Sequence, residues 1–280
     1  MARGSKLTHF LLGGLGLILG AIAQSGTAQA CGDASPCPVE TGRYYVKTPA
    51  GWDGMTALPL AVHFHGYGNT GEAAINAPVA KAWSAQGFLV VAPDGLNRTW
   101  SHQGSPSRQR DEVAFVASVV EDVESRWPVA PNRRVATGFS QGGSMVWHLA
   151  CFMRDGFTAY APVAGAFWQP HPQTCPAAPV NLRHVHGTGD ETVPMKGRPI
   201  RKVYHQGDVR LGIEQWLGFD GCEPVVDASS RSGILTCDLW RRCASGKQVE
   251  LCLHDKGHDY RAEWVPGIVA WLESLPDWGG

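Results

Sequence analysis

The run GFSQGG, Gly138 to Gly143, holds the residue best suited to covalent chemistry in this chain. Its Ser140 has a glycine two positions before it and another two positions after it, which is the G-x-S-x-G pattern. The pattern is weak by itself, because glycine accounts for 34 of the 280 residues. A serine in this setting can attack a carbonyl carbon and form an acyl-enzyme. The sequence therefore makes Ser140 a candidate nucleophile.

A serine hydroxyl needs a base to take its proton, and the base needs a carboxylate to fix its tautomer. His258 is the predicted base, because it follows the last predicted strand in a loop beside Gly257. Asp190, inside HGTGDETVP, is the predicted acid, because it follows a strand and stands between the serine and the histidine in the chain. Other acids remain open as substitutes: Glu191, Asp220, Asp227, Asp255 and Asp259.

Backbone N–H groups must receive the oxyanion that forms when an ester carbonyl is attacked. The N–H of Gln141, directly after the serine, is one predicted donor, and Gly66 or Tyr67 in the run HGYG supplies the other. Glycine in that run lets the backbone approach a substrate closely. Trp100 and Trp168, near strand ends, are predicted to line the substrate pocket together with Tyr67.

Short apolar runs alternate with helical patterns, which indicates an α/β protein. The chain order serine, acid, histidine is that of the α/β-hydrolase fold, a mostly parallel central sheet with helices on both faces. The predicted strands are residues 43–47, 60–64, 88–92, 134–139, 159–163, 182–186 and 249–254. The predicted helices are residues 72–86, 112–126, 141–152, 209–217 and 264–275.

Residues 1–30 have the character of a signal peptide: Arg3 and Lys6 precede an apolar stretch, and Ala28 and Ala30 suit cleavage before Cys31. Residues 31–280 then form a single catalytic domain. The chain is predicted to be secreted, extracellular or periplasmic, with no membrane span; lipidation at Cys31 is the less favoured alternative. A net charge of −1 gives no reason to expect nucleic-acid binding. No cofactor or metal is predicted, and the oligomeric state stays open.

Eight cysteines in an exported chain favour disulfide bonds. Closeness along the chain favours two pairs, Cys31 with Cys37 and Cys151 with Cys175. The remaining four thiols are assigned, with less support, as Cys222 with Cys243 and Cys237 with Cys252. A zinc cluster is disfavoured because the sequence has no C-x-x-C pair.

The motifs together resemble the secreted esterase family that includes poly(3-hydroxybutyrate) depolymerases and feruloyl or acetylxylan esterases. The resemblance is carried by PLAVHFHGYGNTG, APDG followed by Trp100, RDEVAFV, GFSQGG, APVAG, HGTGDETVP and the pair Gly257–His258. It implies the triad Ser140, Asp190 and His258. It also implies an ester substrate: a small ester, a plant cell-wall ester or a polyester oligomer.

Three other functions remain open. A serine peptidase of the same fold would use the same triad chemistry on an amide bond. A metal-dependent hydrolase would use the pairs His63/His65 and His184/His186, because alternate residues of a strand share one face. Eleven tryptophans would suit a carbohydrate- or polymer-binding protein without catalysis.

Overall fold

The structure is a computed structural model that describes residues 1, 2, 4, 31, 32 and 35–279. The predicted signal peptide therefore lies almost wholly outside the described residues. Within the described part of the chain, no helix has the length and apolar character needed to cross a membrane.

The described residues form twelve strands, and ten of these make one sheet in the order β1-β2-β4-β3-β5-β6-β7-β12-β11-β10. The strands are β1 Cys37–Val39, β2 Gly42–Lys47, β3 Leu58–Phe64, β4 Leu89–Pro93, β5 Val129–Phe139, β6 Ala159–Val163, β7 Asn181–Gly187, β8 Arg198–Ile200, β9 Tyr204–Gln206, β10 Ala228–Ser232, β11 Leu235–Trp240 and β12 Val249–His254. The six central strands from β4 to β12 in that order run parallel, and the edges are antiparallel. The carboxyl ends of the parallel strands thus share one edge of the sheet.

In the described part of the chain, six α-helices cover the two faces of this sheet. They are α1 Gly71–Asn76, α2 Pro78–Ala85, α3 Glu112–Arg126, α4 Gln141–Phe152, α5 Val209–Phe219 and α6 Val265–Glu273. On β3, Leu60 and Val62 pack with α3, α4 and α5, whereas Ala61 packs with α1, α2 and α6. Side chains alternate between the faces of a strand, so one apolar run supplies both cores.

The helix predicted over residues 72–86 is in fact two helices. Ala77 has an extended backbone between them, with φ −67° and ψ 155°. Pro78 follows as the first residue of α2; it has no N–H to continue α1, and it disfavours helical geometry in the residue before it. Helices α3 and α4 have the predicted bounds.

The prediction missed five strands, β1 and β8 to β11, and the sequences of all but β11 explain why. Strands β1, β8 and β9 have three residues each, and β10 reads ASSRS and is largely exposed. None of these carries the apolar run or alternation by which a strand is recognised. The β8–β9 hairpin forms a separate two-stranded sheet.

Four disulfide bonds join the cysteines in the predicted pairs: Cys31–Cys37, Cys151–Cys175, Cys222–Cys243 and Cys237–Cys252. Cys237 and Cys252 lie opposite each other on the antiparallel strands β11 and β12. The disulfides suit an oxidising compartment.

Asp220, after α5, gives the stability of the fold a pH dependence. Its side chain is fully buried; one carboxylate oxygen accepts a hydrogen bond from the Val180 N–H at 3.0 Å, and the other has no partner among the described residues. Burial raises the pKa of Asp220 to about 7. An unfolded aspartate ionises near pH ~4. Between those two pH values only the folded protein holds this proton, so stability falls as the pH rises across the window.

Asp220→Asn removes this titration. We expect the variant to exceed the native protein in free energy of unfolding by about 1–3 kcal/mol at pH ~8, and by less as the pH approaches ~4. Urea denaturation at both pH values measures the difference. An equal difference at the two pH values would show that the Asp220 carboxyl does not titrate in this window.

Candidate active site

Ser140 occupies the corner between the end of β5 and the start of α4. Its backbone has φ 60° and ψ −121°, outside the helical and extended regions that a serine normally adopts. The Ser140 N–H donates to the carbonyl oxygen of Val163 at 3.0 Å, which fixes the corner against β6. A non-glycine residue held at positive φ stores strain that the surrounding structure must sustain. The corner turns the serine hydroxyl out of the sheet and into a cavity.

The flanking glycines are required by close packing. A Cβ at Gly142 would lie 2.0 Å from the carbonyl oxygen of Phe64, and a Cβ at Gly138 would lie 2.5 Å from that of Gly142. Real Cβ atoms do not approach backbone oxygen this closely, so larger residues would push α4 away from β3 and β5. The G-x-S-x-G pattern is therefore a steric requirement of this corner.

The structure brings Asp190 and His258 into direct contact. His258 Nδ1 lies 2.6 Å from Asp190 Oδ2, and the N–H groups of Thr192 and Val193 each donate to Asp190 Oδ1 at 2.8 Å. Burial alone would raise the pKa of Asp190, but the hydrogen bonds from His258 and Val193 outweigh it and hold the pKa below its usual value. Asp190 is thus ionised at neutral pH.

The carboxylate fixes the tautomer of His258. With Nδ1 donating to Asp190, the lone pair of the neutral ring stands on Nε2. Nε2 is buried and has no hydrogen-bond partner among the described residues. The His258 ring packs on Phe139, the residue before Ser140, with ring centroids 4.6 Å apart. The His258 ring therefore lies against the residue that precedes Ser140.

Two backbone segments surround the serine where an oxyanion would form. Gln141 is the first residue of α4, so its N–H has no partner inside the helix, and the helix dipole adds positive potential there. A Cβ added to Gly66 would contact Ser140 Cβ at 3.4 Å, which shows how closely the loop after β3 approaches the serine. The segment after β4 contacts both: the Gln141 side-chain amide donates to Thr99 Oγ1 at 2.8 Å, and the Gly68 N–H donates to the Arg98 carbonyl oxygen at 2.8 Å.

A cavity of about 500 Å³ opens beside Ser140. Its apolar wall comes from Tyr67, Pro106, Trp168, Val193 and Ile200. Its polar lining includes Thr99, Ser107, Gln109, Gln141, Ser144, Thr192, Arg198, Arg201 and Gln206. A cavity with apolar walls and a few polar groups suits a small organic ligand or one end of a larger one.

The two tryptophans predicted to line the pocket have different positions. Trp168 lines the cavity. The prediction for Trp100 does not hold, because its side chain is fully buried in the core. Its indole N–H donates to the His65 carbonyl oxygen at 2.8 Å, and its ring packs against Phe64. Trp100 therefore supports the loop that carries Gly66 and Tyr67 from behind.

The substitute acids have other partners. Asp220 accepts from Val180, which precedes β7 and so lies at the amino end of that strand, whereas the serine lies at the carboxyl ends. Asp227 accepts from the backbone after β11. Glu191, Asp255 and Asp259 have no recorded contact with the His258 ring within the described residues. Among these acids, Asp190 alone is positioned to orient His258.

The pair His184 and His186 belongs to a buried chain of hydrogen bonds. The Trp147 indole N–H donates to His184 Nδ1 at 3.3 Å, His184 Nε2 donates to His186 Nδ1 at 2.9 Å, and His186 Nε2 donates to the Val193 carbonyl oxygen at 2.8 Å. The direction follows because an indole only donates and a carbonyl only accepts. Burial lowers the pKa of both histidines, so both rings are neutral.

These hydrogen bonds occupy both ring nitrogens of His184 and of His186, so neither ring has a nitrogen free to bind a metal ion. In the other pair, His65 Nδ1 donates to the Gly66 carbonyl oxygen and Nε2 accepts from the Gly95 N–H. Among the described residues, the one cluster of three metal-type ligands is Cys237, Glu250 and Cys252, and its two sulfurs form a disulfide. Hydrogen bonding accounts for His65, His184 and His186, whereas His63 is buried and its Nδ1 has no hydrogen-bond partner among the described residues. Nothing in the sequence pattern distinguished these roles from metal binding.

His186 holds the loop that carries Asp190, since the same Val193 also donates to Asp190. We expect His186→Leu to lower the free energy of unfolding by about 2–4 kcal/mol, because it leaves two buried polar groups unpaired. We also expect kcat/KM on an ester to fall about tenfold through misplacement of Asp190. Urea denaturation and steady-state kinetics measure the two effects. Glu191→Gln, an exposed change in the same loop, is the matched control, and an undiminished kcat/KM in His186→Leu would contradict the positioning role.

The strand order, the serine corner and the loops at the carboxyl ends of the strands define an α/β-hydrolase fold, as predicted. Solved structures agree: an acetyl xylan esterase from Aspergillus awamori superimposes with a TM-score of 0.55 at 14% identity, covering 77% of this chain and 88% of that one. The protein named pOPH superimposes with a TM-score of 0.58 at 14% identity, covering 90% of this chain and 89% of that one. At such identities the likeness concerns the fold.

Curated relatives identify the class of enzyme more closely. A probable feruloyl esterase C of Aspergillus niger is 28% identical over 227 residues, 77% of this chain and 76% of the relative. Feruloyl esterase C of Emericella nidulans is 29% identical over 230 residues, 78% of this chain and 77% of the relative. No protein-family model matches the chain. The chain is a carboxylic ester hydrolase of the α/β-hydrolase fold, similar in sequence to feruloyl esterases.

Proposed function

We propose that this protein is a secreted serine esterase that works through an acyl-enzyme on Ser140. The observation that carries the proposal is the Asp190–His258 pair, 2.6 Å between oxygen and nitrogen, beside a serine held at φ 60° against an open cavity. The mature protein is one catalytic domain, residues 31–280. The four disulfides support export to an oxidising compartment.

The reaction follows from this geometry in two halves. His258 Nε2 takes the proton from Ser140 Oγ as the oxygen attacks the ester carbonyl, and the N–H groups of Gln141 and of Gly66 or Tyr67 receive the oxyanion. His258 then gives the proton to the departing alcohol. Water, deprotonated by the same ring, releases the acid from the serine. Asp190 stabilises the imidazolium in both halves.

Serine chemistry is tested by a fluorophosphonate that labels activated serines. We expect loss of esterase activity in step with addition of one phosphonyl group, located by peptide mass spectrometry on Ser140. A metal chelator should leave the activity unchanged. Inactivation by the chelator, with no phosphonate adduct on Ser140, would favour a metal-dependent hydrolase.

The relatives and the cavity favour an ester with an aromatic acyl group. The relatives are named feruloyl esterases. Tyr67 and Trp168 provide aromatic surface beside the nucleophile, and flat rings pack well there. A panel of methyl ferulate, acetylated xylan, hydroxybutyrate oligomers and a feruloyl amide compares the alternatives, with the largest kcat/KM expected for methyl ferulate. Preference for the oligomers would favour polyester hydrolysis, and comparable turnover of the amide would favour a peptidase.

A further inference from the structure

The β8–β9 hairpin contributes one end of the cavity, and the proposed mechanism assigns it no role. Arg198, Ile200 and Gln206 from its strands line the cavity, as does Arg201 in the turn. Arg198 and Ile200 are alternate residues of β8 and so share a face. Arg198 stands opposite Gln206 in the pairing of the two strands, and its Nε donates to Gln206 Oε1 at 3.2 Å.

The hairpin is fixed to the body of the enzyme. Gln206 forms a bridge with Trp168, the Gln169 N–H donates to the His205 carbonyl oxygen at 2.8 Å, and the Gly207 N–H donates to that of Phe167 at 2.8 Å. These contacts join the hairpin to the segment that provides the aromatic wall. The arginines are thus held by backbone hydrogen bonds, not carried on a free loop.

The charged side chains at this end of the cavity are all positive. Residues 196–202 contain four cations, Lys196, Arg198, Arg201 and Lys202, and no acid, in a chain whose net charge is −1. Among the described residues that line the cavity there is no aspartate or glutamate. Neither Arg198 nor Arg201 has an ion-pair partner in the described part of the chain. Two guanidinium groups in the lining of the cavity therefore have uncompensated charge.

Arg201 also has an unusual backbone, with φ 56°. Glycine or asparagine is the less strained choice for the left-handed region, and an arginine there costs about 1 kcal/mol. Folding alone does not call for an arginine at this turn. A residue with a strained backbone at the mouth of a cavity is a feature that ligand binding explains.

We propose that Arg198 and Arg201 form a carboxylate-binding subsite, so that, of two esters that are otherwise alike, the enzyme prefers the one with a carboxylate near the scissile bond. The proposal rests on the serine esterase function above and names its substrate class: esters of hydroxy acids, diacids or acidic sugars. A guanidinium presents several N–H donors in a plane that matches the two oxygens of a carboxylate. Tyr67 and Trp168 would contact the uncharged body of the same substrate.

The test compares esters that differ in one charge. On the alcohol side the pair is 4-acetoxybenzoate and 4-acetoxybenzamide; on the acyl side it is monomethyl adipate and its monoamide. For each pair the ratio of kcat/KM, charged over neutral, is measured in the native enzyme, Arg198→Gln, Arg201→Asn and the double variant. Asn suits the positive φ at position 201. Lys202→Gln, which removes an equal charge from the same hairpin but outside the cavity lining, is the matched control.

We expect the native enzyme to favour the charged ester in at least one pair. In that pair each single variant should lower the ratio about threefold to tenfold, the double variant should lower it further, and Lys202→Gln should change it less than twofold. Raising the salt concentration should weaken the preference, because part of the attraction is screened.

Two results would overturn the inference. The first is a double-variant ratio within about twofold of the native ratio in both pairs, with the neutral esters still hydrolysed in a Ser140-dependent way; the esterase function would then stand without this subsite. The second is an equal loss in Lys202→Gln, which would show a long-range effect of the hairpin charge. If the neutral esters are turned over without Ser140, the proposed serine mechanism fails, and this inference fails with it.

Discussion

Ser140→Ala is expected to reduce kcat for ester hydrolysis by about 10⁴-fold or more, with the fold unchanged. Without Oγ no acyl-enzyme can form, and the remaining groups can only polarise the ester for direct attack by water. Alanine tolerates φ 60° as serine does, and the backbone N–H of residue 140 still donates to the Val163 carbonyl oxygen. Active-site titration, initial rates and circular dichroism check the three parts of this expectation.

Ser144→Ala is the matched control for this change. Ser144 lies one turn further along α4, lines the same cavity, and accepts from the Ala166 N–H at 3.2 Å. Its loss should leave at least about a tenth of the activity, since one hydrogen bond is at stake. More than about 1% residual activity in Ser140→Ala, or an equal loss in Ser144→Ala, would show that the nucleophile is misassigned.

Asp190→Asn is expected to lower kcat by about 10³- to 10⁴-fold while leaving the loop in place. The amide oxygen can still accept from the N–H groups of Thr192 and Val193, as Oδ1 does in the native protein. The amide NH₂ then faces His258 Nδ1 and favours the tautomer with hydrogen on Nε2. That tautomer cannot take the serine proton. The variant should thus lose kcat with little change in stability.

Steady-state kinetics and urea denaturation of Asp190→Asn are compared with those of Asp255→Asn. Asp255 is exposed, and its recorded side-chain contact is with Lys256. We expect Asp255→Asn to match the native enzyme in both measurements. A loss below about tenfold in Asp190→Asn would leave His258 oriented by another group and remove Asp190 from the proposed triad.

The central strands and the longer helices could be predicted from the sequence, because their apolar residues extend far enough to show the spacing of a strand or a helix. Helix α3 has Asp111 as its cap and no internal breaker, and its bounds were predicted to the residue. The break at Ala77–Pro78 was missed, because the apolar pattern runs through it. The β8–β9 hairpin was missed for the opposite reason: three-residue polar strands have no period to detect.

The candidate site shows a similar division. The fixed chain order of the fold and the loops after strands led to the prediction of Ser140, Asp190 and His258, and the structure brings Asp190 and His258 into contact. The sequence could not reveal that Trp100 turns into the core, because an aromatic residue near a strand end can equally line a pocket or pack behind a loop. The H-x-H pattern also could not show that His184 and His186 hydrogen-bond to each other, since two histidines on one face of a strand could equally bind a metal ion.

The disulfides have a practical consequence for making the enzyme. Each closes a short stretch, between 6 and 24 residues along the chain, and none connects the neighbouring strands β3, β4 and β5 to one another. Two of the four crosslinks lie in the C-terminal third, whereas β3, β4 and β5 are joined to one another by packing and backbone pairing. Protein produced in a reducing cell should therefore build a working catalytic corner but unravel from its C-terminal edge at lower temperature than protein folded under oxidising conditions.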